Sequence, residues 1–238
     1  MGTAQAAQFT NATPITITSS TTDGVPAAAT PSPSPILVAG QSGVVKSVEV
    51  SVSGFHHTSQ KDVDILLQAP SGDVVTLLSD LGGRSSLNPT VDLGFRAGAA
   101  LLPAPGVKCM NDGTIASSGF FAPADNDNAL LDCTGPGTSC IPDPALDANN
   151  TDLTTLNETD PNGTWNLYVS DDCDLDSGSS SGWALDLTTG PPIPTTTPPS
   201  PTPTSPTQSP ITKKKCKHKK HKRSAASAKK KCKKHKRR

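Results

Sequence analysis

The chain has 238 residues, and its 21 Lys and Arg balance 21 Asp and Glu. The balance is a sum of opposites: residues 1–190 hold five basic side chains against all 21 acidic ones, a net −16, while residues 213–238 hold the remaining 16 basic ones. A uniformly neutral globule is excluded, and so is a membrane-spanning helix, because no run approaches the roughly 18 apolar residues it would need.

At the N-terminus, Met1–Ala7 has neither the basic n-region nor the apolar h-region of a signal peptide. Residues 1–7 are expected to lie outside the fold. The expectation is that either the protein is not exported by that route or its true start lies upstream of Met1. Residues 8–190 alternate apolar runs with Gly, Pro, Asn, Asp and Ser clusters and are long enough for one domain with a core. Aromatic residues make up only 3%, so that core must rest on Val, Leu and Ile.

The apolar runs have period two. In Val44–Val52, the residues Val44, Val48, Val50 and Val52 share a face with Lys46 as the exception, and Ser47, Glu49 and Ser51 point the other way. Val63, Ile65, Leu67 and Ala69 lie opposite Asp62, Asp64 and Gln68. Val91, Leu93 and Phe95 alternate, as do Trp165, Leu167 and Val169, and then Trp183, Leu185 and Leu187. This pattern predicts half-buried antiparallel strands. Pro70-Ser71-Gly72-Asp73 reads as a hairpin turn, and Pro161-Asn162-Gly163 as a turn ahead of a strand. No segment before residue 190 has a helical period. The prediction is an all-β sandwich with an irregular, cysteine-bearing insertion at about 104–150.

Residues 191–212 contain nine Pro, seven Thr and three Ser and read as an extended linker. At about 3.1 Å per residue it spans up to roughly 70 Å. Residues 213–238 repeat one unit, KKKCKHKKHKR and KKKCKKHKR, joined by SAASA. Such a density of like charge is disordered when unbound.

In detail, the run 33–83, with His57-Thr58, Asp62 and Pro70-Ser71-Gly72, resembles the front half of the P domain (P/Homo B). This module accompanies subtilisin/kexin-like proprotein convertases and occurs in bacterial surface proteins. The run 153–187, with Gly163-Thr164-Trp165 and Gly182-Trp183, resembles its back half, and Ser118-Gly119-Phe120 and Phe9–Ile17 fit more loosely. The resemblance covers about 8–190. It implies a galactose-binding-like jelly roll and an extracellular or cell-surface location. It also implies a bacterial source, in which the sequons Asn149-Asn150-Thr151 and Asn157-Glu158-Thr159 go unused. The sequence departs from the family at Cys109, Cys133 and Cys140 in the insertion and at Cys173 in the Asp-rich loop. Cysteines of this number favour an oxidising compartment. Three pairings are open: the short spacing favours Cys133 with Cys140, which leaves Cys109 with Cys173 to tie the insertion to the loop.

The family's protease activity resides in a separate subtilisin domain whose motifs this chain lacks, so the module is expected to be non-catalytic. The acidic domain has two histidines, His56 and His57, and no Gly-x-Ser-x-Gly elbow. His57 is expected to fix a loop by hydrogen bonding. Asp171, Asp172, Asp174 and Asp176 form a candidate Ca²⁺ loop, since closely spaced carboxylates repel unless a cation or solvent screens them. It departs from an EF-hand in having Ser177 before Gly178 and no Glu at the twelfth position. A solvated acidic turn is the bland alternative. Asp62, Asp64 and Asp80 form a second, weaker candidate. Trp165 and Trp183 sit on apolar faces and are expected in the core rather than stacked on a sugar.

In the tail, the candidate polyanion-binding residues are Lys213, Lys214, Lys215, Lys217, Lys219, Lys220, Lys222, Arg223, Lys229, Lys230, Lys231, Lys233, Lys234, Lys236, Arg237 and Arg238. They bind phosphates by counterion release without reading sequence. No aromatic residue interleaves them, so base stacking is not supported. Cys216, His218, His221, Cys232 and His235 are poorly placed for zinc, because a +16 segment opposes a dication. The expected function is a surface module held to an anionic cell-wall polymer by its tail. The alternatives are an accessory domain of a subtilisin-like serine endopeptidase and an intracellular nucleic-acid binder.

Overall fold

The computed structural model describes residues 3–21, 26–83, 88–102, 114–125, 150–172 and 175–194. In chain order its strands are β1 (Gln5–Asn11), β2 (Ile15–Thr18), β3 (Ala27–Ala28), β4 (Ser34–Val38), β5 (Val44–His57), β6 (Val63–Gln68) and β7 (Val74–Ser79). There follow β8 (Val91–Leu101), β9 (Gly119–Ala122), β10 (Ala124–Asp125), β11 (Gly163–Asp171), β12 (Ser177–Ser180) and β13 (Gly182–Gly190). Two short 3₁₀ turns, Gln60–Asp62 and Leu153–Leu156, are the only helical pieces among the described residues. None of these residues forms a helix long and apolar enough to cross a membrane.

The strands form two mixed sheets, as an all-β sandwich requires. One has the order β1-β13-β5-β12-β2, with β8 on the other side of β5 and β9 beside β8. The second runs β10-β7-β6-β11-β3, with β4 also on β11. Most pairs are antiparallel, while β8–β9 and β7–β10 are parallel. The core between the sheets is aliphatic: Val50, Val63, Ile65, Leu67, Leu77, Leu93 and Leu185 are fully buried, together with Phe55, Phe95 and Trp165.

The alternation seen in the sequence decides these faces. Trp165, Leu167 and Val169 face inward, as do Trp183, Leu185 and Leu187. Both indoles are buried with their N–H groups satisfied, Trp165 Nε1 donating to Pro161 O at 3.0 Å and Trp183 Nε1 to Ser34 Oγ at 3.1 Å. The Pro70–Asp73 hairpin joins β6 to β7, with Ala69 N donating to Asp73 O and Gly72 N to Ala69 O, each at 2.9 Å.

Three readings need correction. Val45, not Val44, faces the core, because β5 bulges against β13 where the register slips between Thr188 and Thr189. The extra residue leaves Lys46 and Ser47 both pointing outward and inverts the alternation before Val48. A second shift lies between Val52 and Phe55, at Gly54, which takes a φ of 59°. The polar face expected for β6 is also covered: Asp62, Asp64 and Leu66 are buried, and Leu66 packs with Tyr168 and Val74. The stretch 104–150 is not wholly irregular, since β9 and β10 within it extend both sheets.

β1 starts at Gln5, so the sandwich takes in the last three residues of the stretch 1–7 expected outside it. The compact unit reaches Pro194, and the remaining unit, residues 195–238, lies outside the described residues.

Candidate functional site

β5 sets the polarity of the sandwich. Its first residue, Val44, pairs with Gly190, the last residue of β13, and its last residue, His57, pairs with Gly178 on β12. Thirteen strand steps separate these ends, roughly 40 Å at about 3.3 Å per residue. The chain therefore leaves β13 at one pole, and the candidate site lies at the other.

At that far pole His57 turns inward and joins the two sheets. Its Nε2 lies 2.9 Å from Oδ2 of Asp171, the last residue of β11, and both side chains are fully buried. The other ring nitrogen, Nδ1, faces the backbone of Ser59, 2.6 Å from the carbonyl oxygen and 3.2 Å from the N–H. Glycine is required where β12 crosses this ring, because a Cβ on Gly178 would overlap His56 O and the His57 ring.

After Ser59 the chain makes the turn Gln60–Asp62. Gln60 ties it to the core by exchanging hydrogen bonds with the Ile115 backbone: Ile115 N donates to Oε1 at 2.8 Å, and Nε2 donates to Ile115 O at 3.2 Å. Asn88 Nδ2 donates to His57 O at 2.9 Å and Gly83 O at 3.2 Å, which closes the loop from above. The turn delivers Lys61 and Asp62 side by side, with Lys61 Nζ 2.7 Å from Asp62 Oδ1. Asp172 N donates to Asp62 O at 3.1 Å, so the ends of β11 and of the turn meet.

Asp62 and Asp80 from one candidate set therefore act on Asp172 of the other. The Asp172 carboxyl is pushed up to about 8, by burial first and then by the neighbouring carboxylates of Asp80, Asp62 and Asp171, against the opposing pull of Lys61. Asp80 enters from the end of β7 in a left-handed conformation, φ 54°. Asp62 Oδ2 is buried with no hydrogen-bond partner. Asp176 is drawn instead to Thr58, whose Oγ1 donates to Asp176 Oδ1 at 3.0 Å and accepts from Ser177 N at 3.1 Å. Asp64 stands on the outer face of β6, opposite Ser170. Asp174, the candidate disulfide cysteines Cys109, Cys133, Cys140 and Cys173, and the whole basic tail lie outside the described residues.

The carboxylate oxygens are of the hard type that Ca²⁺ selects. Among the described residues, however, no three His, Cys, Asp or Glu side chains are gathered closely enough to hold a metal ion. The His57–Asp171 pair has the form of two-thirds of a proton relay: Nδ1 is held by the Ser59 backbone, and Nε2 stands 2.9 Å from Asp171 Oδ2 as a close contact rather than a well-aligned hydrogen bond. Sequence reasoning saw His57 as a loop anchor and found that half of its role. It missed the pairing with Asp171, for which the signal was only that both residues sit in the segments resembling the P domain.

No family model and no curated protein matches the chain. Among solved structures it is similar to a chain in the complex of a serine protease from Aeromonas sobria with its chaperone, at 14% identity and a TM-score of 0.33. The match covers 79% of this chain and 27% of that one, so this chain spans about a quarter of the length of the chain it matches.

Proposed function

We propose that the chain is a non-catalytic, P-domain-like module of an exported bacterial surface protein, spaced by residues 191–212 and held to an anionic cell-wall polymer by the basic tail. The observation that carries the non-catalytic part is the full burial of His57, with Nδ1 held by the Ser59 backbone and Nε2 against the buried Asp171 carboxylate. The residues of the P-domain resemblance, His57-Thr58, Asp62 and the loop that opens at Asp171, meet at that pole, where a fold needs closing rather than a substrate held. The tail supports the tether: 16 cations act on phosphate by counterion release and without sequence selection. An accessory role beside a subtilisin-like protease is the second reading, supported by the same motifs. It is tested by co-purification with such a protease, which the tether reading does not require.

We also propose that Ca²⁺ is the ion the Asp-rich loop takes, through Asp171, Asp172, Asp174 and Asp176, a set that only Asp174, outside the described residues, would complete. The support is the close spacing of four carboxylates in the sequence, together with the burial and the neighbouring Asp80, Asp62 and Asp171 that disfavour the Asp172 anion when no cation is bound. A chelated sample should gain several degrees of melting temperature on adding millimolar Ca²⁺. A melting temperature that stays flat contradicts this reading and leaves the tether reading standing.

A further inference from the structure

The pole opposite the carboxylates is where the polypeptide leaves the sandwich, and its construction is specific. Gly43, at φ 83°, lies so close to Gly190 that a Cβ would overlap the Gly190 carbonyl oxygen. The next four residues are Pro191-Pro192-Ile193-Pro194. Three of them have a fixed φ and no N–H, so Ile193 carries the one backbone donor in the stretch. That donor is taken by a side chain from elsewhere: Ile193 N donates to Glu158 Oε2 at 2.9 Å. The other oxygen of the same carboxylate pairs with Lys46 Nζ on β5.

Glu158 is itself held in an unusual way. Asn157, at φ −64° and ψ 151°, is followed by Glu158 at φ 66°. A positive φ at this position ordinarily calls for Gly or Asn. The turn is fixed to the start of β5 from both sides: Glu158 N donates to Val45 O at 2.8 Å and Val45 N donates to Thr159 O at 2.9 Å. A glycine would satisfy the backbone better, so the side chain is what distinguishes glutamate here, and its two contacts are Lys46 and the outgoing chain. Burial opposes ionisation only weakly at this exposed group. The Lys46 and Ile193 hydrogen bonds hold its carboxyl below the usual range.

We infer that Glu158 is a clasp that pins the Pro-Pro-Ile-Pro exit to the start of β5. It grips the single N–H of the Pro-Pro-Ile-Pro exit and anchors that grip on β5 through Lys46. The inference deepens the reading of residues 191–212 as a spacer and rests on it.

The test is amide hydrogen exchange at Ile193 in the full-length protein, read by NMR, beside Glu158→Gly and Glu158→Gln. A bond to a charged acceptor should slow Ile193 exchange about tenfold or more relative to the free-peptide rate. Glu158→Gly suits the turn, so it should keep the wild-type melting temperature while Ile193 returns to the free-peptide rate. Glu158→Gln keeps an acceptor without the charge and should retain part of the protection. Free-peptide exchange at Ile193 in the wild type, or equal protection in Glu158→Gly, overturns the clasp. Envelope retention does not enter this readout, so failure of the clasp and failure of the tether are distinguishable.

Discussion

His57 Nε2 and Asp171 Oδ2 stand 2.9 Å apart with no solvent at either side chain, and they join β5 of one sheet to β11 of the other. A buried pair of this kind is hard to break from one side, because the partner left behind keeps its polar group without compensation. His57→Ala and Asp171→Ala should each cost about 3–5 kcal/mol in urea unfolding. The double variant should cost well under the sum, since the residues act as one unit. Additive losses would mean that the two do not interact.

Asp172 gives the pole a pH dependence of definite sign. Its folded value, about 8, lies above the ordinary carboxyl value of 3.8, because burial and the Asp80, Asp62 and Asp171 carboxylates disfavour its charge. Between those two values the folded state holds a proton that the unfolded state has released. Stability from this group is therefore greatest near pH 4 and falls as pH rises towards 8. In chelator, the loss across that window should be on the order of a few kcal/mol. Asp172→Asn carries no charge to bury, so it should flatten the slope and be the more stable protein at pH 8. A wild-type slope that survives the substitution contradicts the assignment.

Glycine at 178 follows from the place of the His57 ring. Gly178→Ala puts a methyl against His56 O and that ring, and should destabilise by about 1–3 kcal/mol or more. Gly119→Ala is the control, since its Cβ would meet the Phe121 ring at ordinary contact distances of 3.4 and 3.7 Å. It should stay within about 1 kcal/mol of wild type. Chemical denaturation of the two variants side by side checks both expectations.

The contrast between these positions marks what a sequence can disclose. Trp165, Leu167 and Val169 were legible because alternation along one strand is a local property and one face is buried. Val45 was not, because a bulge in β5 changes parity, and its only local trace, Lys46 out of phase, also fits a single outward exception. The carboxylate pole was half legible. Asp171 and Asp172 stand out as neighbours in the chain. Their union with Asp62 depends on the pairing of Asp171 with Val63 across β11 and β6, residues more than one hundred positions apart. Lys61 and His57 are single residues without a pattern, so their part in the pole becomes visible only when the strands are paired. At Glu158 the clasp breaks a local turn preference, and such breaks carry information only once the third partner, Ile193, is in place.

The measurement that tests the tethered-module account most directly is fractionation of cells that make the full-length chain, beside a version ending at residue 212. The account expects exported full-length protein in the envelope fraction, released by high salt and not by detergent, because screening of 16 cations removes the hold on an anionic polymer. The shortened protein should fold equally well and appear unretained in the medium. Full-length protein confined to the cytosol, or envelope retention that high salt leaves intact, would contradict the account.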